Sequence, residues 1–405
     1  MPSAEPSRPT LRARTLRTLA ELSEVEADWR ALQAHPWADF DYYRQHLATQ
    51  AEFLRPHVLV LAREGRTVAL VAASLRRERL AWKVGSFTFW RSRARVLWIG
   101  TGAVLGEDSP EVVAALRVEL LEVLARGEAD AAYAHQLESG APLALALQDV
   151  PALARDRRVR PAAGWVLELA ATYEEFFASR SKSVRRHVKR YAAALERELG
   201  GELAVVCYRA PDELERLVAD SERVARLTYH RGMRVGFEDT PELRRFFAFA
   251  LAAGWMRGYV LYARGAPIAF WHGLAYHGTF VTRDTGYDPS TAALRPGQYL
   301  LVKVIEGHIR TRDTQRFDYG VMELDYKKSF GTRRYERTSL YVFAGGARGL
   351  WLWSLRTLSG ALDALARRLL GSRAREFARK LARFGRAPAA TPVVRGEGDE
   401  GGAKE

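Results

Sequence analysis

Arg295-Pro296-Gly297-Gln298 is the segment of this chain best suited to hold an anion. Proline favours the first position of a helix, so the run reads as a helix start. There the first backbone N–H groups have no intrahelical partner, and the helix dipole favours negative charge. Gly297 lets a ligand close to the backbone, and Arg295 adds a planar, bidentate cation. The same residues also suit an ordinary proline-initiated helix, so alone they do not choose. Proton-transfer chemistry has fewer candidates. His272 lies in the strand-like run from Ala269 to Ala275, and an imidazole titrates near neutral pH. Asp284 ends the next such run and is the carboxylate alternative. Each could serve as a general base or be structural. Asp318, in Phe317-Asp318-Tyr319-Gly320, sits at a strand end where it could orient an amine or hydroxyl, or cap a turn. Lys182, Arg186 and Arg190 recur at four-residue spacing on a helix. That face could grip an anionic acceptor or simply meet water.

Composition and motif exclude several other chemistries. The single cysteine, Cys207, rules out an internal disulfide and any multi-cysteine zinc site. Its place in the run Leu203 to Tyr208 reads as buried filler. The nine histidines are scattered, with no pair at ligand spacing beside carboxylates, so no metal is expected. A Walker loop, a Rossmann glycine fingerprint and a Gly-x-Ser-x-Gly elbow are all missing. The formal net charge of +14 invites a nucleic-acid reading. Yet between Gly345 and Arg386 ten basic residues meet only two acidic ones, Asp363 and Glu376. Most of the imbalance therefore belongs to a C-terminal appendage, and no nucleic-acid partner is expected.

The chemistry-bearing residues sit in an ordered series of elements. Two strand-like runs meet at Gly265-Ala266-Pro267, and a third, Thr279 to Thr285, leads into a Gly- and Pro-containing loop. The helix from Arg295 follows, then a strand from Arg316 to Tyr319 that closes at Gly320. The first half has the same order. Val58 to Ala62 and Val68 to Leu75 form a hairpin around Glu64-Gly65, Val96 to Ile99 is a strand ending in Gly100-Thr101-Gly102, and Ser109-Pro110-Glu111 opens a helix to about Arg126 with Ser109 as its cap. Ala62-Arg63, Gly65 and Val68-Ala69 recur as Ala263-Arg264, Gly265 and Ile268-Ala269, which points to a duplication. Further helices are expected over Ala20 to Ala34, Tyr173 to Gly200, Pro211 to Arg226 and Pro241 to Ala252, and a strand over Trp165 to Leu169. Pro151 to Gly164 marks the boundary.

Hairpin, strand, loop, helix, strand resembles the cofactor cleft of acyl-CoA N-acyltransferases of the GNAT superfamily. Gly286-Tyr287-Asp288, Arg295-Pro296-Gly297-Gln298, Phe317-Asp318-Tyr319-Gly320 and Tyr326-Lys327 are similar in order and spacing to the CelD-type acetyltransferase branch, itself related to Fem-type peptidoglycan aminoacyltransferases. The resemblance implies an α/β fold of tandem GNAT-like modules with mixed central sheets, to which the spacing of apolar residues adds a C-terminal amphipathic helix. The expected division is a disordered leader over 1–12, a degenerate module over 13–160, the acyltransferase module over 165–343, a basic helical segment over 346–386 and a disordered tail over 388–405. The resemblance also implies acetyl-CoA or another acyl-CoA as co-substrate, held by Arg295, Gly297, Gln298 and Lys327. Tyr326 would protonate the leaving thiolate, with neighbouring lysines holding its pKa down. His272, Asp284 and Asp318 remain candidates for the base and acceptor-orienting roles. Arg186, Arg190 and Tyr287 would meet the acceptor, a small or carbohydrate-linked amine or hydroxyl, in polysaccharide or cell-envelope biosynthesis. Two alternatives stay open: a Fem-like transferase using charged tRNA, and a non-catalytic, membrane-associated partner in polysaccharide export.

The appendage suggests where the protein works. Trp351, Leu355, Leu358, Leu362, Leu365 and Leu369 follow one helical stripe, broadened by Leu352 and Trp353, with arginines around it. Such a helix suits an anionic membrane surface, or else docks on the body. No signal peptide and no apolar run of roughly 20 residues is present. The expected location is the cytoplasm, at the inner face of the membrane.

Overall fold

The computed structural model describes residues 11–84, 87–199, 203–228, 236–322 and 324–370. In chain order its strands are β1 (Leu11–Leu16), β2 (Phe53–Arg63), β3 (Arg66–Val84), β4 (Phe87–Gly106), β5 (Ala131–Glu138), β6 (Ala162–Glu168), β7 (Leu203–Tyr208), β8 (Met256–Ala263), β9 (Ala266–Tyr276), β10 (Thr279–Tyr287), β11 (Arg316–Val321) and β12 (Arg333–Phe343). The helices are α1 (Glu26–Leu32), α2 (Phe40–Thr49), α3 (Pro110–Ala125), α4 (Pro142–Ala146), α5 (Tyr173–Ala178), α6 (Lys182–Leu199), α7 (Leu214–Leu227), α8 (Pro241–Ala252), α9 (Pro296–Thr311), α10 (Asp325–Phe330) and α11 (Ala347–Leu370). The strands form one 12-stranded sheet in the order β1-β2-β3-β4-β5-β12-β6-β11-β10-β9-β8-β7.

That order is a duplication written into hydrogen bonds. β2, β3 and β4 form an antiparallel meander, and α3 then carries the chain to β5, parallel to β4. β8, β9 and β10 repeat the meander, and α9 carries the chain to β11, parallel to β10. The two hairpins even share a register shift at the same place, Leu61/Ala62 in one and Leu261/Tyr262 in the other. Both turns use paired left-handed residues, Glu64-Gly65 and Arg264-Gly265. Such turns match the twist of the flanking strands. The last strand of each half is exchanged. β6 pairs with β11 of the second half, whereas β12 pairs with both β5 and β6 and so joins the halves into one sheet.

Apolar faces follow from this layout. One core lies under α1, α2 and α3 and includes Trp29, Phe40, Leu70, Leu97 and Leu116. The second half buries both faces of its sheet. Trp271, Phe280, Leu301 and Phe317 pack on the α9 side, and Leu217, Phe247, Phe270 and Leu274 on the side of α7 and α8. A strand buried on both faces reads as a near-continuous apolar run, as β9 does from Pro267 to Leu274 with His272 its one polar side chain.

Several sequence expectations need correction. Leu11 and Arg12, assigned to a disordered leader, belong to β1 and pair with Arg63 and Ala62. Ser109 makes no side-chain cap, so Pro110 alone marks the start of α3. The helix expected over Tyr173 to Gly200 is two helices, α5 and α6. In α11, Leu352 and Trp353 do not broaden the outward stripe. Leu352 is fully buried against Trp82 and Phe343, and Trp353 packs beside them. Arg356 to Asp156 (3.0 Å), Asp363 to Arg158 (3.4 Å) and Ser359 Oγ to the Lys83 carbonyl (2.8 Å) hold that face down. The expected tail over 388–405 lies outside the described residues, as does the basic segment beyond Leu370.

Candidate active site

β10 and β11 begin side by side and then separate. They pair only at Thr279 with Arg316, Phe280 with Phe317 and Val281 with Asp318. Beyond that, β10 stays with β9 and β11 with β6, so a wedge opens between parallel strands. The β10–β9 register shifts between Thr282 and Thr285, a bulge that leaves one residue outside the ladder and re-aims its neighbours. Two cavities meet this bulge. Asp284 lines one and Thr285 lines the other.

The cavity on the Thr285 side holds about 200 Å³. Its walls are Phe270, Trp271, Gly286, Tyr287 and Leu301, the loop Ala292 to Gln298, and Tyr326. Here the expected helix start takes shape. Arg295 is left-handed, with φ of 56°, and precedes Pro296 at the first position of α9. No side chain caps α9; Pro296 has no N–H, and those of Gln298 (3.0 Å) and Tyr299 (3.2 Å) donate to the Arg295 carbonyl, which leaves the Gly297 N–H of the first turn to face the cavity. Gly297 needs neither a positive φ nor the space of a missing side chain. A Cβ there would meet only Tyr287 Cδ1, at 3.5 Å. Nothing inside the protein therefore requires glycine at this position, but a ligand lying on the helix end would. Arg295 also reaches the face of Tyr191, 5.9 Å from its centroid, and Arg190 approaches the same ring at 4.9 Å and donates to its hydroxyl. Arg190, expected at the acceptor, thus lies with Arg295 beside the start of α9. A neighbouring cavity between α6 and α9 shares Gln298 with the cleft.

Tyr326 stands in this cleft on α10, with its ring edge-on to Trp271 at 5.8 Å. Burial pushes its pKa up to about 12. This reverses the expectation that the lysines hold it down. Lys327 is turned inward and donates to the carbonyls of Gly320 (3.2 Å) and Val321 (3.0 Å). Burial lowers its pKa to about 8. It is therefore no phosphate ligand in this structure. Together with Arg180 Nη1, which donates to the Phe330 carbonyl at 2.6 Å, it fixes the helix that presents Tyr326. Sequence reasoning also missed Trp271. Among the described residues its indole N–H is buried without a partner, while its side chain lines the cleft. An orphan donor in a cavity wall is ready for a ligand oxygen. The signal available beforehand was only its place between Phe270 and His272.

The remaining candidates lie elsewhere. His272 is completely buried between β9 and the helices α7 and α8, where Nε2 bonds Ser221 Oγ at 2.8 Å and the ring packs on Phe237, Phe247 and Phe270. Burial holds its pKa well below the usual range, and it lines neither cavity, so the structure gives it a packing role. Asp284 lines the second cavity beside Trp37, Tyr42, His46, Phe246 and its ion-pair partner Arg283. Burial raises its pKa, as a base working near neutrality needs. Asp318 is committed to its neighbours. It accepts from Tyr335 Oη (2.6 Å), the Gly320 N–H (2.8 Å) and Arg337 Nη2 (3.4 Å), which ties β11 to β12. Arg186 is exposed on α6, away from either cavity lining.

The first half shows the contrast. The start of α3 carries Glu107, Asp108 and Glu111, with Arg63 bound to Glu107 at 3.1 Å. Carboxylates at that helix end repel a phosphate. Of these two helix starts, the one in the second half is the cationic one. Among the described residues no group of three or more His, Cys, Asp or Glu side chains could hold a metal ion.

The family comparison falls in the second half, whereas the similar structures span both. Residues 182–328 match the family model described as an acetyltransferase (GNAT) domain. The crystal structure of FemX is similar over 84% of this chain and 99% of its own, with a TM-score of 0.56 and 10% identity. That likeness concerns the fold. The C-terminal domain of a lysylphosphatidylglycerol synthetase from Agrobacterium fabrum covers 84% of this chain and 96% of its own at 13% identity, with a TM-score of 0.49. A tandem GNAT protein from the clavulanic acid pathway covers 84% and 100% at 13% identity, with a TM-score of 0.44. No curated protein matches.

Proposed function

We propose that this chain, which matches a GNAT acetyltransferase domain over residues 182–328, moves an acyl group, in the first instance acetyl, from acyl-CoA to an amine or hydroxyl of a small or carbohydrate-linked acceptor. The observation that carries this is the bulge in β10, where consecutive residues open onto different cavities, Asp284 onto one and Thr285 onto the other. A donor on the α9 side and an acceptor on the α8 side would meet at the wedge between β10 and β11. When bound, acyl-CoA supplies an activated thioester carbonyl. The chain's own residues do the rest. The α9 N-terminus, Arg295 and Arg190 hold the pyrophosphate. Gly297 lets it approach the backbone. The Trp271 indole N–H donates to an oxygen in the cleft. Asp284, with its raised pKa, takes the acceptor's proton, and Tyr326 returns one to the thiolate. A tyrosine near 12 stays protonated at working pH and lies above a thiol in pKa, which suits an acid for that leaving group.

In this reading residues 165–343 are catalytic and residues 13–160 support them and shape the acceptor cavity. The motif resemblance to the CelD-type branch, and with it a role in polysaccharide or cell-envelope biosynthesis, belongs to the same proposal. So does peripheral attachment to the cytoplasmic face of the membrane. In its support, α11 leaves Leu358, Leu362, Leu365 and Leu369 exposed on the side away from the body. No helix among the described residues is long and apolar enough to cross a membrane. The test is thermal and kinetic. Acetyl-CoA at about a hundredfold over its Kd should stabilise the protein by roughly 2.7 kcal/mol. A thiol-release assay across amino sugars and their phosphorylated forms should then find the acceptor. No stabilisation by acetyl-CoA or CoA would remove the donor assignment.

A further inference from the structure

We propose that the first half of the chain holds the acceptor by an oxyanion, bound at Arg76 in a ring-lined cavity. This rests on the acceptor entering from the Asp284 side of β10. The cavity, about 250 Å³, is built from α2, β3, β4 and β5, with Tyr42, His46, Arg76, Trp98, Thr101 and His135 in its lining. It shares Trp37, Tyr42 and His46 with the cavity at Asp284, so the two adjoin across those side chains.

Arg76 is the unusual member. Its Nε donates to Ser74 Oγ at 2.9 Å, and its guanidinium lies over the Trp98 ring at 4.8 Å. Among the described residues no carboxylate is within ion-pair distance of it, whereas Arg283 has Asp284 and Arg337 has Asp318. Glu78 and Glu52 act on it only from further away, and burial pushes its pKa down. A half-buried cation without a counterion costs free energy that an arriving anion would recover. A guanidinium matches phosphate and carboxylate oxygens in fork geometry.

The other walls suit a ring. Trp98 lies 4.8 Å from Tyr133 and 5.7 Å from His135, and Tyr42 stacks on His46 at 4.7 Å. Burial lowers the pKa of both His46 and His135. The ligand class is therefore a ring, sugar or aromatic, that bears a phosphate or carboxylate. Its reactive amine or hydroxyl would extend past Tyr42 toward Asp284. This gives the first half a substrate-binding task, although its own α3 start is unsuited to a pyrophosphate.

Phenyl phosphate and benzoate, with benzyl alcohol as the uncharged control, can be titrated into the full chain at low salt and followed by tryptophan fluorescence and calorimetry. At least one oxyanion should bind where benzyl alcohol does not, and the stronger of the two names the anion. Arg76→Gln should weaken that binding by about tenfold or more, and Arg76→Lys by less. Trp98→Leu should weaken it too and serves if Arg76→Gln fails to fold. Arg295→Gly should leave it unchanged. Oxyanions that bind no better than benzyl alcohol, or equally well to Arg76→Gln, would overturn the proposal. So would binding lost in Arg295→Gly but kept in Arg76→Gln, which would place the anion in the donor cleft. Acetyl-CoA stabilisation is measured on the same samples. Its absence with oxyanion binding intact sinks the donor reading alone, and the reverse sinks the Arg76 site alone.

Discussion

Gly297 offers a test in which stability and binding should move in opposite directions. Its backbone is not left-handed, and an added Cβ would find ordinary van der Waals distance, 3.5 Å, to Tyr287 Cδ1 and nothing nearer. Gly297→Ala should therefore fold as the parent does. It should gain about 0.4–1 kcal/mol, because alanine loses less conformational freedom on folding. If a pyrophosphate lies on this helix end, the same methyl group intrudes on it. Forcing a methyl into close contact costs ~1–3 kcal/mol, or roughly five- to 150-fold in Kd. Arg295→Gly should behave alike for another reason. Arg295 holds φ of 56°, a conformation that costs a non-glycine residue about 1–2 kcal/mol. Glycine relieves that strain while removing the cation. Melting curves of the free protein and calorimetry with CoA are both needed. The expected pattern is an unchanged or raised Tm with weakened CoA binding in each variant. CoA affinity within twofold of the parent in Gly297→Ala would refute the assignment of the cleft. A Tm that falls would show that the glycine serves the fold instead.

Three further outcomes follow from the structure. Tyr326→Phe should lower kcat by about a hundredfold while CoA affinity stays near normal; since burial holds the phenol near 12, the parent should show no loss of this acid below about pH 10. Burial depresses His35 to about 3 and His46 and His57 to about 4, below the unfolded value of about 6.5. The unfolded chain then binds more protons between pH 6.5 and 4, so the stability these groups confer is complete above 6.5 and is lost as pH falls through that window. Urea titrations at pH 7.5, 6 and 5 should show the decline, a His46→Gln, His57→Gln variant should show a shallower one, and equal slopes would count against buried neutral histidines. Finally, Leu358→Gln, Leu362→Gln and Leu365→Gln together should abolish binding to anionic vesicles without lowering Tm, because these side chains are 50%, 38% and 51% exposed. Equal binding by this variant and the parent would end the membrane reading. Whole-helix deletion is a poorer test, since Leu352 and Ser359 are buried against the body.

What the sequence disclosed was mostly local. The hairpin turns at Glu64-Gly65 and Gly265, the proline that opens α9 and the limits of α8 were readable because turn residues and prolines act on their own backbone. The strands β5 and β12 were not, since each depends on partners far away in the chain. β12 lies between β5 and β6, and no local pattern records that exchange. The site divided in the same way. Arg295, Gly297, Gln298, Tyr287 and Tyr326 share one cavity. His272 and Lys327 were misjudged because direction decides their roles. One residue of alternation sends Trp271 toward the α9 side and His272 into the opposite core, and a chemically suitable imidazole carries no mark of which face it will take.

The duplication explains how one sheet can serve two substrates. Each half has a wedge between parallel strands and a helix that follows it, yet the halves have diverged at one decisive place. The start of α9 has Arg295, Pro296 and an unencumbered glycine, and the start of α3 has Glu107, Asp108 and Glu111. In the proposed reading a pyrophosphate uses the first, while the carboxylates of the second would repel it. Losing that task leaves the first half free to contribute a wall. Its α2 side chains Tyr42 and His46 line both the cavity at Arg76 and the cavity at Asp284. Because β12 returns from the second half to pair with β5, the position of that wall relative to β11 is set by backbone hydrogen bonds rather than by a flexible linker. In the proposed reading, a wall held that rigidly selects an acceptor by its anionic group while the reacting atoms meet at the wedge between β10 and β11.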